Sequence, residues 1–318
     1  MIHLICPNPA IDRTLLFEKI VRDKPNRPLK LKEVPGGKGF NVAYALNFDQ
    51  DVNFKIHTIL GGKYGEKFIQ LADSYHYPIV KTDVKTNTRL CHILVDKSDR
   101  SLVLSQEYGF KLSSTLFNSF TNTLINSVKN GDYIVFSGSL MKGMPKTYIE
   151  DVYKELLNRG IKVKLVVDTS GEPLRNAYKI APYMIKINDE EIYDIFPDKK
   201  LSSIDDYLLL LQFDINPKIK NFIITLGAKG AVGRIGSKYL YGCSKPIEVK
   251  NPNASGDFFL GRMMHGISID QSPSETLRQA LAFSTSNVEN WFPEVSKKQL
   301  EKTIKEIEIN DLVVGDDK

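Results

Sequence analysis

The chain reads as an α/β protein with a mostly parallel central sheet, helices on both faces and a small separate β-sheet acting as a lid. Short β-branched runs alternate with amphipathic runs through most of the length, two regions alternate strand-like residues with no helix between them, and the C-terminal third turns helical. Strands are expected at Ile2–Cys6, Phe54–Leu60, Tyr133–Phe136, Val163–Val167, Met184–Ile187 and Phe222–Leu226. Their alternation with helices argues for a parallel sheet covered on both faces. Within residues 145–159, Tyr148, Ile149, Val152, Tyr153, Leu156 and Leu157 fall at helical spacing, which Gly160 closes. The two helix-free regions, about 12–34 and 88–107, are expected to build the lid. Amphipathic helices are expected at Ser255–Ile267, Ser274–Glu289 and Ser296–Ile307. No repeat, low-complexity linker or sharp composition shift divides the chain, so residues 1–318 are read as one domain.

At 318 residues, 42% hydrophobic and 25% charged, the chain has ordinary globular composition and enough apolar residues for a sizeable core. It has no apolar run of about 18 residues, and the opening Met1–Cys6 lacks a basic flank and is short for a signal peptide, so a cytoplasmic protein without a membrane partner is expected. Cys6, Cys91 and Cys243 stand alone, which supports neither a disulfide framework nor a zinc site. The histidines form no ligand spacing. A net charge of +5 is too mild for a nucleic-acid partner, although small anionic substrates fit it. Lys19, Arg22, Lys24, Arg27, Lys30 and Lys32 concentrate just before a glycine turn, as either a solvated strand pair or a basic flap over an anion.

Two motifs carry chemistry. In Asn253–Gly261, the small residues Ala254, Ser255 and Gly256 lead through Asp257 into an apolar helix. Backbone N–H groups at such a helix start can approach an anion, and the helix adds partial positive charge. A carboxylate repels phosphate, so Asp257 makes sense there if it takes a proton from a hydroxyl attacking the phosphate. The same residues also suit an ordinary helix N-cap. The second motif, Pro35–Ala43, is a glycine turn entering a helix; it matches neither the Walker A loop nor the dinucleotide fingerprint. With Lys38 for phosphate and Asn41 for a hydroxyl, it becomes a seat for a sugar phosphate.

Pro7–Asp12, the Gly36–Ala43 block, Ser137–Leu140 and the Asp257 block stand in one family's order. From Ile2 to about Trp291 the chain resembles the ribokinase/phosphofructokinase-B sugar kinases. Val167–Gly171 and Lys186–Glu191 point within them to the hexulose-phosphate branch of 1-phosphofructokinases and tagatose-6-phosphate kinases. The resemblance implies a ribokinase-like three-layer fold. It implies that Asp12 holds sugar hydroxyls, that Gly36, Gly37, Asn41 and Ser137 line the sugar, and that Lys38, Arg89 and Arg27 take its phosphate. Asn188 and Glu191 would organise Mg2+ and the ATP phosphates through water, beside Lys186. Thr225, Gly227, Lys229 and Gly230 would support the nucleotide. Asp257 would be the base, with the Ala254–Asp257 amides absorbing charge, and pairing through the lid would give a homodimer.

Three departures stand out. Ala254 replaces the usual first glycine of the Gly-x-Gly-Asp block, which matters if its φ is positive. Ser105–Gly109 differs from the branch's polar segment, and Leu140–Gly143 replaces a proline-containing turn. The implied reaction is transfer of the ATP γ-phosphoryl to tagatose 6-phosphate or fructose 1-phosphate. Two alternatives stay open: a kinase for an unphosphorylated sugar or nucleoside, and a non-catalytic sugar-phosphate sensor.

Overall fold

Apolar side chains on both surfaces of the central strands decide the architecture. The computed structural model describes residues 1–312, so the last six positions of the expected domain lie outside the described residues. The first half runs β1 (Ile2–Cys6), β2 (Ala10–Phe17), β3 (Lys30–Gly36), α1 (Lys38–Leu46), β4 (Phe54–Gly61), α2 (Gly62–Asp73), β5 (Ile79–Val84), β6 (Arg89–Asp96), β7 (Leu102–Gln106) and α3 (Ser114–Ser127). The middle comprises β8 (Tyr133–Ser137), α4 (Tyr148–Asn158), β9 (Lys164–Asp168), α5 (Gly171–Lys179), β10 (Met184–Asn188), α6 (Ile204–Leu209) and β11 (Asn221–Thr225). The remainder is β12 (Ala231–Ile235), β13 (Lys238–Ser244), α7 (Ser255–Ser268), α8 (Pro273–Val288), α9 (Lys297–Ile304) and β14 (Ile307–Asp311).

The main sheet has 10 strands in the order β14-β13-β12-β11-β10-β9-β8-β1-β4-β5. From β5 to β11 every pairing is parallel, whereas β12, β13 and β14 add antiparallel pairs. Alternate residues feed two apolar layers: Leu4, Val135 and Val166 join α1, α2, α7, α8 and α9 on one face, and Ile5, Phe136 and Val167 join α3 to α6 on the other. The three-layer α/β fold is therefore present, and its parallel strands lie where they were expected except β5, which the sequence reading did not anticipate. Helix starts follow local rules, as at α8, where the Ser272 hydroxyl accepts from Glu275 N–H ahead of Pro273, and at α9, where Ser296 accepts from Gln299 N–H.

A separate 4-stranded sheet, β3-β2-β6-β7, forms from the two regions expected to make a lid. One expectation fails: the last helix stops at Ile304, and Ile307 opens β14 instead of closing α9. The i, i+3 spacing of Ile304 and Ile307 imitates a helix face, but Ile307 pairs with Ser244 on the sheet edge.

Candidate active site

β1 pairs in parallel with β4 on one side and β8 on the other, so the direction of strand order reverses at β1. Ligands in open α/β sheets bind beyond the carboxyl ends of strands at such a point. A cavity of about 950 Å3 lies there, between the small sheet and the start of α7. Asp12, Gly37, Lys38, Asn41, Arg89 and Ser137 line it together with Lys186, Asn188 and Glu191, with Ala254 to Asp257, and with Thr225, Gly227 and Gly230.

At the end bordered by the small sheet, Asp12 sits on β2 opposite Val34 of β3 and Cys91 of β6. A Cβ on Gly36 would fall 2.1 Å from the Asp12 carboxyl carbon, so this glycine underlies the carboxylate and does not itself line the cavity. Burial pushes the Asp12 carboxyl up to about 7, against the pull of the Arg89 guanidinium and the Gly37 N–H. Arg89 is held from behind, donating from Nη2 to Asn8 O at 3.2 Å and from Nη1 to Glu107 O at 3.2 Å. Glu107 in turn accepts from Leu90 N–H at 2.8 Å, so the divergent Ser105–Gly109 segment supports Arg89, and Gln106 joins the lining. Gly37, at φ 95, breaks into α1 and presents Lys38 to the cavity.

At the start of α7, Asn41 Nδ2 donates to Asp257 Oδ2 at 2.9 Å. Burial raises the Asp257 carboxyl to about 6; Lys38 opposes the rise, Asp168 adds to it, and the Asn41 bond and Lys186 lower it. Ala254 has φ 65, the left-handed conformation that a glycine would adopt without strain. The Ser255 N–H turns to Pro252 O at 3.3 Å, which removes it from the expected anion-binding amides. Among the described residues no protein acceptor meets the Gly256 or Asp257 N–H, and a Cβ on Gly256 would lie 3.2 Å from Lys186 Nζ. Two open amides and an ammonium thus converge beside Asp257, an arrangement suited to a phosphoryl group.

Farther along, Asn188 Oδ1 accepts from Glu191 N–H at 2.7 Å, and Glu191 Oε2 accepts from Asn188 N–H at 2.9 Å. This reciprocal cap explains the Asn-x-x-Glu spacing as local structure and still leaves the half-buried Glu191, whose carboxyl burial raises, facing the cavity. Lys38 is held protonated well above the ordinary lysine range, by Asp168 first and then by Asp257 and Glu191. Gly230, at φ 94, leaves room for the backbone of Gly242, whose oxygen would stand 2.0 Å from a Cβ.

Besides Gly36, two expected residues are not brought to the cavity. Arg27 lies in the exposed stretch between β2 and β3, and the Lys229 side chain is exposed outside the lining. Sequence reading passed over others. Asp168 is completely buried at the end of β9, and the nucleotide end is walled by Ser244 to Ile247 and by Leu281, Ser284, Thr285 and Val288 of α8. Their spacing along α8 resembles an ordinary packing face, so nothing in it signals a cavity wall.

Residues 5–290 match the profile of the pfkB family carbohydrate kinases, and the chain belongs to that family. It is accordingly an enzyme, a phosphotransferase with an alcohol acceptor. Over 313 residues it is 26% identical to "Tagatose-6-phosphate kinase" of Staphylococcus epidermidis strain RP62A, covering 97% of this chain and 99% of the relative. The fold matches phosphofructokinase-2 from Escherichia coli, solved with substrates and products, at a TM-score of 0.87 and 22% identity over 96% of this chain and 98% of that one. A Thermotoga maritima structure named "Possible 1-phosphofructokinase" aligns at a TM-score of 0.84 and 18% identity, over 98% and 100% of the two chains. Among the described residues no helix is long and apolar enough to cross a membrane.

Proposed function

We propose that this enzyme transfers the γ-phosphoryl group of ATP to a primary hydroxyl of a ketohexose monophosphate, with Asp257 as the base. The observation that carries the reading is the position of Asp257. It lies buried at the start of α7, one oxygen tied to Asn41, in the cavity that Lys38, Arg89, Asn188 and Glu191 also line. Asn41 holds Oδ2 and leaves Oδ1 for the acceptor hydroxyl. Lys38 and Arg89 meet the sugar's existing phosphate as a point charge and a fork, and Asp12 takes sugar hydroxyls. A neutral Asp12 carboxyl still donates and accepts, so its raised proton affinity does not prevent that role.

In the reaction the hydroxyl oxygen attacks the γ-phosphorus, the bond to the β-phosphate bridging oxygen breaks, and ADP leaves. The hydroxyl proton passes to Asp257. An alcohol is a far weaker acid than this carboxyl, so the proton moves late, as the bond to phosphorus forms. The Gly256 and Asp257 amides and Lys186 receive the charge on the transferring group.

Magnesium fits the residues present. Among the described residues no three His, Cys, Asp or Glu side chains converge on one point, and Glu191 offers a single carboxylate oxygen left open by its cap. Such a sparse donor set suits an ion that keeps most of its waters, and Glu191 with Asn188 would hold it through water. Bound to the ATP phosphates, it would neutralise part of their charge.

A coupled ADP-release assay across tagatose 6-phosphate, fructose 1-phosphate, fructose 6-phosphate, fructose and ribose tests the reading. Turnover is expected with a phosphorylated ketohexose. Preference for an unphosphorylated sugar would leave Lys38 and Arg89 without an anion and overturn the assignment; no turnover with any of them would favour a sensor.

A further inference from the structure

We propose that His3 and His57 form an acid-sensitive latch in the main sheet: a hydrogen-bonded pair, buried where β1 and β4 lie side by side beneath α3, that holds while both rings are neutral and opens when either takes up a proton. Neither ring lines the cavity, and the inference does not depend on the reaction assigned there.

The pair is a polar exception in an apolar layer. His3 alternates with Ile5 along β1 and His57 with Ile59 along β4, so both rings point into the layer to which α3 contributes Phe120, Leu124 and Ile125. His3 is 0% exposed and His57 1%. His3 Nδ1 lies 2.9 Å from His57 Nε2, and His3 Nε2 lies 3.1 Å from Oδ2 of Asp132, the residue before β8. Asp132 also accepts from Lys129 N–H at 2.8 Å and from the Met1 amine at 3.0 Å. Burial works against its charge, but the Lys129 N–H, the Met1 amine and His3 hold its carboxyl below the usual range. Ser127 of α3 donates to Leu124 O at 2.8 Å and leaves its oxygen 3.4 Å from His57 Nε2.

These contacts fix the protons. A carboxylate only accepts, so His3 Nε2 carries a proton; the other nitrogen of a neutral His3 then accepts, and His57 Nε2 must donate to it. One more proton has no good place. On His3 Nδ1 it would set two N–H groups against each other across 2.9 Å. On His57 Nδ1 it would create a buried cation that faces His3 and Lys55, with no carboxylate in contact with that ring among the described residues. Burial accordingly pushes His57 down to about 3, with His3 and Lys55 adding to the fall. Burial also lowers His3, against the pull of Asp132 and with the help of the Met1 amine and Lys55. The unfolded chain takes up these protons near the ordinary histidine value of 6.5, whereas the folded chain refuses them. The latch therefore contributes its full stability above that value and loses it as pH falls from there toward 3.

Urea unfolding of the wild-type enzyme and of the double variant His3→Gln, His57→Gln at pH 7.5 and 5.5 tests the latch. Over that interval each fully excluded proton raises the unfolding constant about 10-fold. The wild-type constant should thus rise at least about 10-fold more than that of the double variant, which has neither ring to protonate. Equal rises would overturn the proposal. The kcat/KM limb that Asp257 sets should be the same in both proteins; if it moves with the double variant, the pair acts on the site and the latch is overturned. If the double variant does not fold, NMR of the wild-type histidine rings decides: His3 and His57 should keep neutral-ring shifts at pH 5.5, and titration of both near 6.5 in the folded protein would overturn the proposal.

Discussion

Asp257 owes its proposed chemistry to its neighbours. An exposed aspartate is too weak a base to follow a hydroxyl proton far, but burial raises this one to about 6 while Lys38 keeps the rise moderate. The sign for catalysis follows. The base form is lost as pH falls through the folded value, so kcat/KM should drop about tenfold per unit below roughly pH 6 and level off above it. A flat profile down to pH 5 would remove Asp257 from the base role. Asp257→Asn should cut kcat by ~10²-fold or more with the KM for ATP little changed, measured in the ADP-release assay. Near-full activity in that variant would sink the assignment.

The first turn of α7 is where element and site meet. Ala254 takes a left-handed φ of 65, which costs a residue with a Cβ about 1 kcal/mol or more, and the amides of Gly256 and Asp257 keep their direction only while it does so. Ala254→Gly should therefore stabilise the protein. Relief of the strain exceeds the added freedom of glycine in the unfolded chain, for a net gain of roughly 0.5 kcal/mol in urea unfolding with kcat equal or higher. A lower unfolding midpoint would show that the surroundings, not the residue, set this conformation. The Asn188–Glu191 turn makes the same point with hydrogen bonds: a pattern that ends a strand and starts a helical turn also leaves a carboxylate at the cavity.

Across the whole molecule, one face of the small sheet exposes Leu31 of β3 and Val103 of β7, at 43% and 50%, in register through Leu15 and Leu94, and Leu29 just before β3 is exposed as well. Apolar groups grouped on one small sheet are the kind of surface that a partner covers. A homodimer through this sheet is the expected state, with a mass by light scattering of twice 36.0 kDa that Leu31→Asp and Val103→Asp return to the monomer value. A monomeric wild-type protein at working concentration would refute it. Arg27 lies on the exposed stretch beside this sheet, outside the cavity of its own chain.

The amino-acid sequence alone determined the parallel strands, the small sheet and the residues whose chemistry is unusual for their setting. Strands buried on both faces need continuous apolar runs, and the glycine turn carrying Lys38 and the acid opening an apolar helix, each ordinary alone, point to a site when read together. The antiparallel edge was not legible. Arg234 of β12 looks like a solvent-facing cation in sequence, yet it is buried and donates to the carbonyls of Leu211, Asn216 and Ile219. The Ser244–Ile247 wall was equally invisible, because its residue types are ordinary, and the Val167–Gly171 motif was legible without any sign that Asp168 is completely buried. Tertiary structure decided their places: strand order sets Asp168 beside Ser137 and 3.5 Å from Lys186, contacts between residues far apart in the chain that no local pattern records.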